Sequence, residues 1–436
     1  MKARFLRRQA LLLVSALLLA LAIWLLLPTA PVAVADSTPA RQDPGTVERG
    51  RYLAVLGNCM GCHTQRGQTP YAGGRGIATP YGTVFSSNLT PHASGIKDWS
   101  AADFWRALHH GQSRDGRLLT PVFPYPNTTH ISREDSDALY AYFQSLPPAA
   151  STVPPNDLRW PVNTQAALKV WRALYFTPGQ EAPAVSADTA PSDELRRGAY
   201  LVNGLAHCSA CHMPRNALGG SGDMLDLSGG LIPVQNWYAP SLLDPTEAGV
   251  QDRTLDEIVA LLRSGRSGVH RVTGPMADVV QASTQHWQTG DLQAVAAYLK
   301  SLPIQRKAPA DSSQPVANLA QSPGAKLYEQ HCAQCHGAQG EGIRGNDGTW
   351  AYPPLAGNPT VRQNPPANLL QSVLYGGFGP STAGHPRPFG MPPYALQLSE
   401  REIAELLSYV RGAWGNQAAP VSALDVQRLR GPVGRH

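Results

Sequence analysis

The longest apolar stretch of the chain comes first: Leu11 to Leu27 runs 17 residues without a charge, behind the basic segment MKARFLRRQ. Beyond it the apolar residues recur at helical spacing in three sets of short segments. ERGRYLAVLGNC, RRGAYLVNGLAHC and SPGAKLYEQHC read as first helices, opened by Gly50, Gly198 and Gly324. WSAADFWRALHHG, RTLDEIVALLRSG and the less regular PPANLLQSVLYGG read as middle helices, the first two with Ser100 and Thr254 as N-caps. SREDSDALYAYFQSLPP, QTGDLQAVAAYLKSLP and LSEREIAELLSYVRGAWG read as last helices. In them Tyr142, Tyr298 and Tyr409 align, as expected of residues packing between a first and a last helix.

This internal repeat predicts an all-α protein of three tandem domains, at 44–148, 192–304 and 318–415. Pro-rich linkers fill 149–191 and 305–317, although the apolar, aromatic stretch 168–180 reads as a helix docked on a neighbour or a partner. The tail 416–436 reads as a solvated terminus. Residues 1–35 read as a signal peptide or a membrane anchor. Ala33-Val34-Ala35 before Asp36 fits a cleavage site, whereas the apolar run falls slightly short of the roughly 20 residues that span a bilayer. Either way the remainder belongs outside the cytoplasmic membrane.

Composition adds detail. The chain is 42% hydrophobic and 15% charged, and 41 Gly and 39 Pro call for many loops between short elements. Its net charge of +5 is carried by Lys2, Arg4, Arg7 and Arg8. Without them 32 basic residues face 31 acidic ones, so no basic footprint for nucleic acid exists.

The six cysteines occur only as Cys59/Cys62, Cys208/Cys211 and Cys332/Cys335, each pair followed at once by His63, His212 or His336. Zinc needs four ligands and would have to pool triplets more than a hundred residues apart. A thioredoxin-like site needs one pair and no adjacent histidine. Cys-x-x-Cys-His is the attachment signature of c-type haem, in which both cysteines form thioethers and the histidine is the proximal iron ligand. Three copies that use every cysteine predict three covalently bound haem c groups.

Electron-transfer haems take a second axial ligand, often a methionine thioether. Met60 and Met213 stand too close to the proximal histidines to reach round the ring. Met391 lies 55 residues after His336 and Met276 lies 64 after His212, each between the middle and last helices, which makes them the distal candidates. In the first segment the matching position holds Phe123, and no methionine lies between Met60 and Met213. His92, His109, His110 and His130 are the available nitrogens there. His130, in the same loop as Phe123, is the leading candidate, while His109 and His110 read as solvated surface residues. A backbone carbonyl usually fixes the other nitrogen of a proximal histidine. Ser87, Pro240 and Pro353 are the residues expected to supply it.

With these motifs in view, the chain resembles the triheme cytochrome c subunits of membrane-bound periplasmic dehydrogenases of the alcohol, gluconate, sorbitol and fructose type. The resemblance runs from about Gly50 to Gly415. It rests on RGRYLAVLGNCMGCHT, IATPYGTVFSSNLTPHASGIKDWSAADFWRAL, RRGAYLVNGLAHCSACHMPRNALGG, PSLLDP, YPPLAGNPTV and GMPPYALQLS. It implies three class I cytochrome c domains with no substrate chemistry of their own, passing electrons from a dehydrogenase catalytic subunit to ubiquinone or a downstream oxidase. Phe123 departs from the pattern. Two other functions use the same domains: a peroxidase-like enzyme with an open first haem, and a haem subunit of a terminal oxidase.

Overall fold

The structure is a computed structural model that describes residues 2–36, 43–179, 192–306, 318–346 and 348–430. Much of both expected linkers, 180–191 and 307–317, and the last six residues of the tail lie outside the described residues. Helices dominate. The strands are short: three pair as Gly76–Thr79, Gly82–Phe85 and Asp157–Leu158, and the others form two-stranded hairpins. The chain divides into two compact units, 1–53 with 62–181 and 217–224, and 54–61 with 182–216 and 225–436.

In the first unit the helix Ala101–His110 starts where the sequence places it. Ser100 Oγ accepts from Asp103 N–H while the Asp103 carboxylate accepts from Ser100 N–H, so two orphan donors are satisfied reciprocally. Gly111 ends the helix at φ 55° and donates to Ala107 O. The last helix, Arg133–Ser145, buries Leu139, Tyr140 and Phe143 and crosses the first helix, Pro44–Leu56, at Gly50. A β-carbon on Gly50 would lie 1.9 Å from Ala138 O and 2.8 Å from Tyr142 Cβ, so only hydrogen fits there. Next to this crossing Arg49 pairs at 2.6 Å with the buried Asp135.

The apolar helix Lys2–Leu26 is long enough to cross a membrane, and its most apolar 18-residue stretch has a mean hydropathy of 2.5. The stretch 168–180 is resolved by its helix Gln165–Tyr175, which docks on its own unit: Tyr125 meets Trp171 and Phe176 edge-on. From that helix the buried Lys169 donates to Trp24 O at 2.7 Å, where a helix leaves carbonyls unpaired. The chain that follows is held by side chains too: Gln112 and Arg106 donate to Ala30 O and Val32 O, and Arg133 to Ala35 O.

In the second unit Gly198 and Gly324 repeat the role of Gly50. A β-carbon on Gly198 would lie 2.1 Å from Ala294 O and 2.6 Å from Tyr298 Cβ; one on Gly324, 2.1 Å from Glu405 O and 2.9 Å from Tyr409 Cβ. The ion pair recurs as Arg197 with Asp291 at 2.8 Å. The helices brought together are Asp193–Tyr200 with Thr289–Ser301, and Pro323–His331 with Glu400–Gly412. Leu255–Ser264 carries the expected Thr254 cap, completed by Glu257, and Ala367–Tyr375 follows Pro366. From the latter helix the Asn368 side chain acts as a peptide group towards the strand Trp237–Ala239: it accepts from Tyr238 N–H at 2.9 Å and donates to Tyr238 O at 2.8 Å.

The tail corrects the sequence reading. Residues 423–429 form a helix opened by a Ser422/Asp425 capping box, with Val426 fully buried and Val421 nearly so, in one core with Leu370, Ile403, Leu406 and Leu407. Two apolar residues five apart are too weak a periodic signal to reveal that docking in a sequence.

His270 supplies a pH dependence. Burial first, then the neighbouring Arg253 guanidinium, hold its imidazole down to about 4, and Arg253 Nη2 donates to its Nδ1 at 3.3 Å. The neutral ring is the native form, whereas the unfolded chain takes up a proton near pH 6.5. Its contribution is therefore full above about pH 6.5 and is lost as pH falls towards 4. Denaturation at pH 7 and pH 4.5 is expected to show a smaller acid-side loss in His270→Gln than in the parent chain.

Candidate haem-attachment sites

Each Cys-x-x-Cys-His motif sits on a single helical turn, Cys59–His63, Ser209–His212 and Ala333–His336. Backbone bonds close the later two: His212 N–H donates to Cys208 O at 3.0 Å and His336 N–H to Cys332 O at 2.9 Å. A helical turn puts residues three apart on one face, so each pair of thiols can meet two points on the edge of one planar group. The six thiols are unbridged. Burial, then the neighbouring cysteine, pushes the Cys208 thiol up to about 12 and the Cys332 thiol up to about 11. Among the described residues no group of three or more His, Cys, Asp or Glu is placed to hold a metal ion.

The histidines are held alike. Nδ1 of His63 lies 2.8 Å from Ser87 O, Nδ1 of His212 2.7 Å from Pro240 O, and Nδ1 of His336 2.9 Å from Pro353 O. These are the three carbonyls named from the sequence. Burial lowers the basicity of each imidazole and the carbonyl opposes it, so each ring is a neutral tautomer with its proton on Nδ1. That leaves the Nε2 lone pair of all three free to bind iron. The residues thus fit haem c in thiol pairing, tautomer and ring orientation.

The distal candidates are placed differently from one another. Met391 pairs with Gly377 in a two-residue hairpin and packs, partly buried, against the core that contains Leu370 and Tyr394. Met276 is the second residue of a helix, Pro275–Ala282, because Pro275 suits the first turn. Phe123 occupies a turn in which its N–H donates to Thr120 O. His130 follows the short helix Tyr125–Thr128, and its ring lies against Gly179. His92 Nδ1 is 3.0 Å from Ser94 Oγ.

His109 and His110 are not the solvated residues that the sequence suggests. Both are partly buried; His109 stacks on Trp105 at 4.4 Å and meets His110 edge-on. Burial holds His109 down to about 4. A helix end beside glycine reads as exposed, and only the packing around Trp105 and Thr129 encloses it.

Sequence reasoning overlooked the residues just before the first cysteines. Asn58 and His207 both have left-handed backbones, φ 46° and 40°, which Asn and His adopt more readily than most residues. Their matching positions in the repeat were the available signal.

The cytochrome c family model matches residues 47–147 and 321–414. The chain is 39% identical to the alcohol dehydrogenase (quinone) cytochrome c subunit of Gluconobacter oxydans strain 621H, over 89% of this chain and 83% of that one. It is 37% identical to the gluconate 2-dehydrogenase cytochrome c subunit of Pantoea cypripedii, over 88% and 89%. To the fructose dehydrogenase cytochrome subunit of Gluconobacter japonicus it is 33% identical, over 91% and 85%. The chain therefore belongs to the family of dehydrogenase cytochrome c subunits, electron carriers that serve a catalytic chain and are not themselves the catalyst.

Proposed function

We propose that the chain is a triheme cytochrome c of three tandem domains, 44–148, 192–304 and 318–415, on the periplasmic side of the bacterial cytoplasmic membrane. It relays electrons from the catalytic subunit of a dehydrogenase to ubiquinone or a downstream oxidase. The observation that carries this reading is the threefold repetition of one device, an imidazole behind two thiols with Nδ1 bonded to a carbonyl. The middle copy has the same geometry as the two that the family model covers.

Cys59 and Cys62, Cys208 and Cys211, and Cys332 and Cys335 would hold the three groups by thioethers, with His63, His212 and His336 on the proximal side. Bound haem supplies a one-electron couple between ferric and ferrous iron. The carbonyl bonds of Ser87, Pro240 and Pro353 keep the imidazoles oriented and raise their donor strength, which favours the ferric state at each site. Met391 and Met276 are the distal ligands in this reading, and His130 is the candidate for the first haem. The helix Lys2–Leu26 provides the membrane association, as anchor or as export signal.

Intact mass and pyridine haemochrome absorbance of the chain purified from membranes test the count. Three haems per chain are expected, and two in the double variant Cys208→Ala/Cys211→Ala. An unchanged count in that variant would overturn the middle site.

A further inference from the structure

We infer that His207 is the contact through which the first and second haem sites exchange electrons, an inference that rests on reading 59–63 and 208–212 as such sites. His207 directly precedes Cys208, and its Nε2 lies 3.1 Å from the carbonyl oxygen of Gly57, two residues before Cys59. The two attachment loops, 150 residues apart in sequence, are thus joined by one hydrogen bond within the second unit. Two further observations show that the joint is built. A β-carbon on Gly57 would lie 3.3 Å from Leu205 Cδ1 and 3.5 Å from Leu205 O, so the loop that carries His207 closes over Gly57 with little room for a side chain. On the other side Ser283 Oγ donates to Val55 O at 2.6 Å and accepts from Trp287 Nε1 at 3.0 Å, which pins the Gly57 loop in place.

The backbone is bent to make this contact. The helix that leads to His207 ends in a π-helical turn, Leu201–Leu205, and such turns concentrate at functional sites. His207 and Asn58 both adopt left-handed conformations, which are costly for non-glycine residues; His331, the residue before Cys332, belongs to an ordinary helix and does not. The left-handed residue directly precedes the first cysteine in both of the loops that meet.

The step is a single-electron exchange. One site is oxidised from ferrous to ferric and the other reduced from ferric to ferrous. No proton moves, because the imidazole stays neutral and keeps its Nε2–H on the Gly57 carbonyl. Electronic coupling falls off more slowly through covalent and hydrogen bonds than through empty contact. The route Cys208, His207, Gly57 carbonyl, Asn58, Cys59 has one hydrogen bond and no gap.

The test uses the full chain. Pulse radiolysis follows the redistribution of one injected electron, and the phase joining the first two sites is the one that disappears in Cys59→Ala/Cys62→Ala. His207→Asn tolerates the left-handed backbone but is too short to reach Gly57, whereas His207→Gln reaches it with an amide N–H. The asparagine variant is expected to keep three haems and their potentials while slowing that phase at least several-fold, with glutamine restoring most of the rate. A parental rate in His207→Asn with all haems present would overturn the inference. If His207→Asn loses haem, His207→Phe, which fills the space without a donor, decides: a slow phase supports the bridge and a parental rate removes it. Fewer than three haems in the parent chain would instead strike the reading on which this rests.

Discussion

Gly324→Ala is expected to destabilise the protein by about 3 kcal/mol, at the upper end of what an overpacked contact costs. The added methyl would sit 2.1 Å from Glu405 O and 2.9 Å from Tyr409 Cβ. Glu405 O belongs to the helix Glu400–Gly412 and cannot swing aside without breaking that helix's own ladder. The two helices must therefore separate, and the core they share, Tyr328 with Ile403, Leu406 and Leu407, loses its close packing. Alanine recovers only about 1 kcal/mol through its better helix propensity. Gly290→Ala is the control: it lies in the helix Thr289–Ser301 with open space where the methyl would go, so it should be neutral or slightly stabilising. Guanidinium denaturation followed by circular dichroism separates the two. A Gly324→Ala midpoint indistinguishable from that of the parent would show that the crossing is not close. Gly50 and Gly198 make the same prediction at their own crossings.

Arg411→Met should cost about 3 kcal/mol and release the tail, because it strips donors from two buried carbonyls and one partly buried one at about 1 kcal/mol or more each. Arg411 is 1% exposed. Its Nη1 donates to Val361 O at 2.6 Å and Gln363 O at 2.8 Å, and its Nε to Ala419 O at 2.7 Å. One guanidinium thus ties the last helix to the segment 361–363 on one side and to the start of the tail on the other. Burial pulls its pKa down to about 10, which still leaves it charged at neutral pH. Methionine fills much of the volume but donates nothing. Lysine keeps the charge, but its single ammonium lacks the planar fork that reaches both sides, so Arg411→Lys should recover only part of the loss. Limited proteolysis after Ala418, beside denaturation, reads the tail directly. Unchanged protection of 419–430 in Arg411→Met would show that Val421 and Val426 hold it unaided.

Much of the site was legible in the residues. Cys-x-x-Cys-His is a contiguous motif, so its chemistry is written within five residues. The helices that frame each copy follow from a 3.6-residue period and from caps such as Ser100 and Thr254, which act over one turn. Even the proximal carbonyls of Ser87, Pro240 and Pro353 could be named, because the repeat places them in matching loops. The aligned Tyr positions likewise announced the helix crossings, whereas Gly50 and Gly198, read as openers, lie inside helices that begin at Pro44 and Asp193 and mark the closest approach instead.

What the tertiary structure alone decided lies between segments that no local pattern connects. The sequence left His109 on a surface and the tail in solvent; packing encloses the first against Trp105 and docks the second through Val426 and Arg411. Lys169 looks like an ordinary helix lysine until its ammonium is found on the carbonyls that end Lys2–Leu26. His207 looks like a spacer before Cys208 until it reaches Gly57, 150 residues away. Periodicity, capping and covalent attachment act over a few residues and are written in the sequence. A hydrogen bond between distant loops needs donor and acceptor placed within about 3 Å of each other, and only the folded backbone fixes that.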